Sequence, residues 1–300
     1  MIKIVTDSVT SIPPDMLEAK PIQIATLYVN RDGEEYVDQT MDVDAFYSEI
    51  YEMADNIPTS SQPSQKYLEE SFEKIAKDGD ELLGIFLSSG LSGTIEGALR
   101  AARAVKERIP SFSFALIDSC SCGFDEAFPV LDAAEFAQTD MSLSECAKKT
   151  VERIMATRFL FTPENLTFLH KGGRIGSAAT LVGNLVKLSP ILTVVEGKVE
   201  TVAKIRHRKK ALERIVTEFK SDIESYGFKH IVVHYIGDKT PALEWAKNTI
   251  EPLVERSVRV IPVSPVIGVH VGPAVGISYE CERPMPHKFP NNPPQIIYTQ

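Results

Sequence analysis

The residues with the clearest chemistry lie in Leu82 to Ala98, LLGIFLSSGLSGTIEGA, where an apolar strand pattern runs into a Ser/Gly/Thr turn and then a helix pattern. The first backbone N–H groups of a helix have no intrahelical acceptor and carry partial positive charge, so such a turn suits a small anion. A second hydroxyl-rich run, Pro58-Thr59-Ser60-Ser61-Gln62-Pro63-Ser64, stands before another amphipathic helix. Ser60, Ser61, Ser92 and Thr94 can each be read as helix caps, since Ser and Thr are ordinary N-cap residues. One hydroxyl is enough to cap. Ser88, Ser89, Ser92 and Thr94 surround Gly90 and Gly93, which would let a ligand approach the backbone, and this surplus suggests one anion shared by the two runs. The turn lacks the lysine of a phosphate-binding P-loop and the final glycine of a nucleophile elbow, which weakens nucleotide binding and serine hydrolysis.

Three further segments offer polar groups, each with a plainer alternative. His170-Lys171-Gly172-Gly173-Arg174-Ile175-Gly176 is either a solvated turn or a loop that aims Arg174, a planar donor fork, at an anion. Lys204 to Lys210, KIRHRKK, is the densest positive cluster. Cations at a helix start oppose the helix dipole, so an anionic partner competes with the reading of a merely solvated face. His270, within Val266 to Gly276, is either a satisfied interior histidine or a donor to a bound anion. The Leu- and Val-rich stretches Ala178 to Leu188 and Ile191 to Val195 fit a core or an alkyl tunnel equally well.

Composition narrows the partners. The 300 residues carry a formal net charge of -9, which argues against a general nucleic-acid surface. MIKIVTDS enters a strand pattern at once and no long apolar run follows, so a soluble cytoplasmic protein with at most transient membrane contact is expected. The 4 cysteines are too scattered for a disulfide scaffold. Cys120-Ser121-Cys122 lacks a second ligand pair at zinc spacing, and His230 and His234 lie on a strand pattern that separates them by over ~12 Å. No metal or cofactor is assigned.

Alternating strand and helix patterns position these segments. Strands are expected at Ile2 to Val5, Leu82 to Leu87 and Phe112 to Ile117, and helices at Asp44 to Met53, Gln65 to Lys77 and Gly93 to Arg108. Two more helices fall within Asp125 to Ala156, the second with Ser142 and Ser144 as candidate caps. This order implies a parallel sheet, with Asp7-Ser8, Ser88-Ser89 and Asp118-Ser119 together at its C-terminal edge. A second α/β unit starts with a strand at Arg158 to Phe161 and an apolar helix at Ala178 to Leu188. It continues with a hairpin at Ile191 to Val195 and Lys198 to Ala203, and a helix at Lys209 to Tyr226. Strands at Ile231 to Tyr235, Val258 to Pro262 and Ala274 to Tyr279, with a helix at Ala242 to Leu253, complete it. The resulting division is 1–157, 158–282, and a Pro/Asn-rich tail over 283–300 expected to be irregular and to add little core.

In order and spacing, Thr6-Asp7-Ser8, Thr59 to Ser64, Ser88 to Thr94, His170 to Gly176, Lys204 to Lys210 and Gly268 to Ile277 resemble the DegV family. The resemblance implies two α/β domains with a long-chain fatty acid bound at their junction and its acyl chain in a tunnel of the C-terminal domain. It implies further that the chain is not itself catalytic and presents the carboxylate to a separate ATP-dependent fatty acid kinase. By that likeness Ser60, where a threonine is usual, and Ser92 hold the carboxylate, with Ser61, Gly93 and His270 beside it. Arg174 and Arg206 are similar to arginines of the family's phosphoryl-transfer interface. Two other readings compete: a lipid sensor without a kinase, and a phosphoryl- or acyl-transfer enzyme using Ser92 as nucleophile and His270 as base.

Overall fold

A computed structural model describes residues 1–18, 20–182 and 188–299. Its first sheet is built from β1 (Ile2–Asp7), β2 (Ile22–Ala25), β6 (Glu81–Phe86) and β7 (Phe114–Asp118), all parallel, with β14 (Ile296–Tyr298) antiparallel on the β7 edge. Alternate side chains leave opposite faces of a strand. Leu82, Phe86, Phe114 and Leu116 therefore pack on α3 (Gln65–Lys77) and α4 (Thr94–Arg108). Leu83, Ile85, Ala115 and Ile117 pack on α5 (Phe124–Phe136) and α6 (Leu143–Ile154). Apolar residues on both faces leave the strand ends as the place for polar groups, and Asp7, Ser88 and Asp118 do share the C-terminal edge.

The second sheet runs in the order β10 (Lys198–Ile205), β9 (Ser189–Val195), β8 (Thr157–Pro163), β13 (Ala274–Glu280), β11 (His230–Ile236) and β12 (Arg259–Pro262). Its neighbours are antiparallel except β11 and β12. The β9–β10 turn has Glu196 at φ 46° and Gly197 at φ 80°, the left-handed pair that a two-residue hairpin requires. Apolar residues of this sheet share one core with α8 (Arg208–Tyr226) and with Tyr47 and Ile50, placed by α2 (Val43–Ser48) and the turn after it. The mixed α/β class expected from the sequence is thus present.

Several local expectations are corrected. Ser60 and Ser61 are not caps: Thr59–Ser61 is a strand, β5, paired with β3 (Tyr28–Arg31), itself paired with β4 (Glu34–Val37). Ser64 caps α3, its Oγ accepting from the Tyr67 N–H at 3.1 Å. Ser142 caps α6 in a reciprocal box with Glu145, and Ser144 lies inside the helix. The helix expected over 178–188 is instead a 3-10 segment at Gly176–Leu181 that ends with extended backbone at Val182; residues 183–187 lie outside the described residues. The expected helix over 242–253 runs from Thr240 to Val254 and widens to a π turn at Ala246–Ile250.

The tail is the largest correction. Met285 and Phe289 are buried and Ile296–Tyr298 extends the first sheet. Lys288 is only 1% exposed, and its Nζ bonds Asp125 Oδ2 at 2.8 Å, Thr157 Oγ1 at 2.8 Å and the Ile154 carbonyl at 3.2 Å. Pro and Asn spacing reports loop geometry, but it cannot report a lysine that finds a buried acid far away in sequence. Removing one partner of a buried pair leaves the other unpaired, so Lys288→Met is expected to cost about 3–5 kcal/mol. Adding Asp125→Asn, which keeps an acceptor for the Ser121 hydroxyl, should recover more than half of that loss in chemical denaturation.

Candidate functional site

Between the two large sheets lies a cavity of about 350 Å³. Its polar end is formed by Ser60, Ser61 and Gln62 from β5 and the turn after it, by Ser92 and Gly93 from the β6–α4 turn, and by His270. Its apolar wall includes Phe159 and Phe161 of β8, Val194 and Val199 of the hairpin, and Val266, Ile267 and Val271 of α11 (Pro265–Val271). The two phenylalanine rings stack at 4.9 Å. Of the described lining residues Arg174 alone is charged. Such a space suits an amphiphile with one small polar head, since each buried CH₂ contributes ~0.8 kcal/mol.

His270 sits in the last turn of α11, a helix that the sequence pattern does not disclose because its Val, Ile and Gly residues are weak helix formers. Pro265 at its first turn, the Ser264 cap and a C-terminal Gly272 at φ 73° were the available signals. The helix is fixed from outside. Asp38 Oδ1 accepts from the Ser264 hydroxyl at 2.7 Å and the Val266 N–H at 3.3 Å, while its Oδ2 accepts from the Ser8 hydroxyl at 2.6 Å. Burial pushes the Asp38 carboxyl above its usual range. Tyr47 donates to the Val263 carbonyl at 2.6 Å and lies so close to Gly268 that a Cβ there would stand 2.4 Å from its hydroxyl.

The hydrogen bonding orders the polar end. Ser60 Oγ and His270 Nε2 are 2.8 Å apart, and His270 Nδ1 is buried with no partner among the described residues. In the tautomer with the proton on Nε2, Ser60 Oγ accepts it and Nδ1 is left an unpaired acceptor rather than an unpaired donor. The Ser60 hydroxyl is then free to donate into the cavity. Ser92 Oγ pairs with Thr94 Oγ1 at 2.9 Å and accepts from the Thr94 N–H at 3.3 Å. Burial, with a smaller effect from Arg174, lowers the His270 pKa to about 4, which keeps the ring neutral near pH 7. Arg174 itself is exposed at the rim, donating to the Leu91 carbonyl at 3.3 Å and the Gly172 carbonyl at 2.5 Å.

Thus Ser60, Ser61, Ser92, Gly93, His270 and Arg174 come to one cavity, and Arg206 does not: it is exposed on the turn between β10 and α8. Part of the hydroxyl surplus has another use. Ser88 Oγ donates to the Gly197 carbonyl at 2.9 Å, and a Cβ on Gly90 would stand 2.5 Å from that same oxygen. Ser88 and Gly90 therefore seat the hairpin. Gln62 and Asp38 escaped the sequence reading, the first as an ordinary turn residue and the second because its partners come from elsewhere in the chain. Among the described residues no cluster of metal-ligating side chains occurs, and no helix is long and apolar enough to cross a membrane.

Over residues 1–282 the sequence matches the DegV family, whose description is that of an uncharacterised protein. The chain belongs to the DegV family. A DegV domain-containing protein of Clostridium perfringens is 39% identical over 282 residues, spanning 94% of this chain and 99% of that relative. The fatty-acid-binding DegV family protein of Thermus thermophilus is 29% identical with a TM-score of 0.81, covering 93% of this chain and 99% of its own. DegV of Bacillus subtilis, a fatty acid binding protein, gives 29% identity, a TM-score of 0.82 and the same coverages, 93% and 99%. At these TM-scores and coverages the two DegV structures share the overall fold of this chain.

The neutral imidazole has a sign that can be checked. As pH falls from about 6.5 to about 4 the unfolded chain takes up a proton at residue 270 that the folded chain refuses, so stability drops through that window. His270→Gln should lower the slope of stability against pH there, and NMR titration of the wild-type ring should give a midpoint near 4.

Proposed function

We propose that this DegV protein binds a long-chain fatty acid and presents its carboxylate to a separate ATP-dependent fatty acid kinase, which forms the acyl phosphate. The observation that carries the reading is the asymmetry of one cavity: Ser60, Ser92 and His270 at one end, and Phe159, Phe161, Val194 and Val199 along its wall. Residues 1–157 supply the hydroxyl donors, and residues 158–282 supply His270 and most of the acyl wall. The fatty-acid-binding relatives from Thermus thermophilus and Bacillus subtilis support the ligand class. The place of action in this reading is the cytoplasm.

Neutral donors suit a carboxylate that must later act as a nucleophile. Two hydroxyls orient its oxygens, whereas a bidentate arginine would withdraw more of the charge that attacks phosphorus. Exposed Arg174 at the rim and exposed Arg206 on the β10–α8 turn are left to meet the partner or the transferring phosphoryl group. The transfer-enzyme reading has less support. His270 Nε2 bonds Ser60 rather than Ser92, and no described carboxylate orients its Nδ1, so a Ser92–His270 pair lacks a positioned base.

Ser60→Ala with Ser92→Ala should weaken fatty acid binding by about tenfold per hydroxyl with the melting temperature kept, because a hydrogen bond to a charged group contributes ~1.5–3 kcal/mol. Unchanged affinity and unchanged acyl-phosphate formation would exclude the two serines as carboxylate ligands. Arg206→Ala should leave lipid affinity unaltered and slow acyl-phosphate formation by the kinase. Loss of lipid affinity in that variant would instead place Arg206 at the ligand.

A further inference from the structure

The family match stops at residue 282, yet the chain beyond it reaches the first sheet and the tip of the β9–β10 hairpin, whose Val194 and Val199 line the cavity. The Arg283 N–H donates to the Tyr226 carbonyl at 3.0 Å and the Met285 N–H to the Met155 carbonyl at 2.8 Å. Lys288 then enters its buried pairing with Asp125. At the hairpin tip the Glu196 N–H donates to the Lys288 carbonyl at 3.3 Å. In return the Glu196 carboxylate accepts from the Asn291 N–H at 2.6 Å, the Asn292 N–H at 2.8 Å and the Asn292 side-chain amide at 3.3 Å. Finally Ile296–Tyr298 pairs with Ala115–Ile117.

We propose that residues 283–299 form a strap that clasps the tip of the β9–β10 hairpin through Glu196 and so sets the rate at which a ligand enters and leaves the cavity. The inference rests on the fatty-acid reading for its ligand but not for its mechanics. Val194 and Val199, each two residues from the Glu196-Gly197 turn, form part of the cavity wall. The hairpin joins the rest of its sheet through β9, which among the described residues pairs with β8 only at Leu192 and Phe161, so a hairpin that lifts breaks few ladder bonds. One side of its tip is already held by Ser88 on the Gly197 carbonyl. The strap supplies the other side and is itself anchored at Lys288 and at β14. Because the clasp touches the hairpin and not the ligand, it holds the empty and filled cavities alike. It acts on rates.

Glu196→Ala in the full-length protein tests this, since the side chain is outside the cavity and its loss empties no core. Release of cis-parinaric acid, followed by stopped-flow fluorescence, and its uptake should both quicken by about tenfold, the equivalent of about 1.4 kcal/mol. The equilibrium affinity should stay within about twofold, because only binding that differs between the two states shifts the balance. Hydrogen exchange should show the amides of residues 291–292 and of β9–β10 losing protection together. Wild-type rates and hairpin protection in the variant would overturn the strap, as would continued protection of 291–292. A protein that takes up no parinaric acid would overturn the fatty-acid reading instead, and hydrogen exchange of the lipid-free protein would then decide the strap alone.

Discussion

The carboxylate of Asp38 is the joint on which the site depends. It accepts hydrogen bonds from Ser8 at the end of the first parallel strand and from Ser264 and Val266 at the start of the helix that carries His270. A buried charge is tolerated only when its lone pairs are filled, and here the groups that fill them come from both halves of the chain. The arrangement works in both directions. The halves must stand where Asp38 is satisfied, and once they do, His270 reaches Ser60 and the hydroxyl-lined turn faces the apolar wall of the second sheet.

The chemistry of the polar end follows from what it lacks. A fully buried cation would fix an anion firmly, but the described groups there are hydroxyls, an amide and a neutral ring, with Arg174 kept at the rim. The low pKa of His270 belongs to the same design, since a protonated ring would meet Arg174 and would bury an unpartnered N–H at Nδ1. In the proposed reading, specificity for a long apolar body comes from contact area, which is non-directional and grows with each methylene.

Elements with a period of their own were legible in the sequence. Gln65–Lys77 is legible to the residue, and the parallel strands Ile2–Asp7, Glu81–Phe86 and Phe114–Asp118 and the Glu196-Gly197 hairpin follow from alternation and turn chemistry, whereas the parallel strand Ile22–Ala25 was missed. What escaped were contacts between distant residues. The three-residue strand Thr59–Ser61 exists because Tyr28–Arg31 pairs with it, and its hydroxyls looked like caps for a helix that Ser64 caps instead. The short helix at Pro265–Val271 is held by Asp38 and Tyr47 rather than by propensity. The tail, rich in Pro and Asn, gains its order from Asp125, Glu196 and the β7 edge. Likewise Ser60, Ser92, His270 and Arg174 were visible as residue types, whereas the division of labour between Ser92, which lines the cavity, and Ser88, which seats the hairpin, needed the fold.

Native mass spectrometry of the protein as purified from a bacterial host tests the central claim most directly. The account expects a one-to-one adduct that survives gentle ionisation and is released on denaturation as a long-chain fatty acid. A bare polypeptide mass that takes up no added oleate would contradict it.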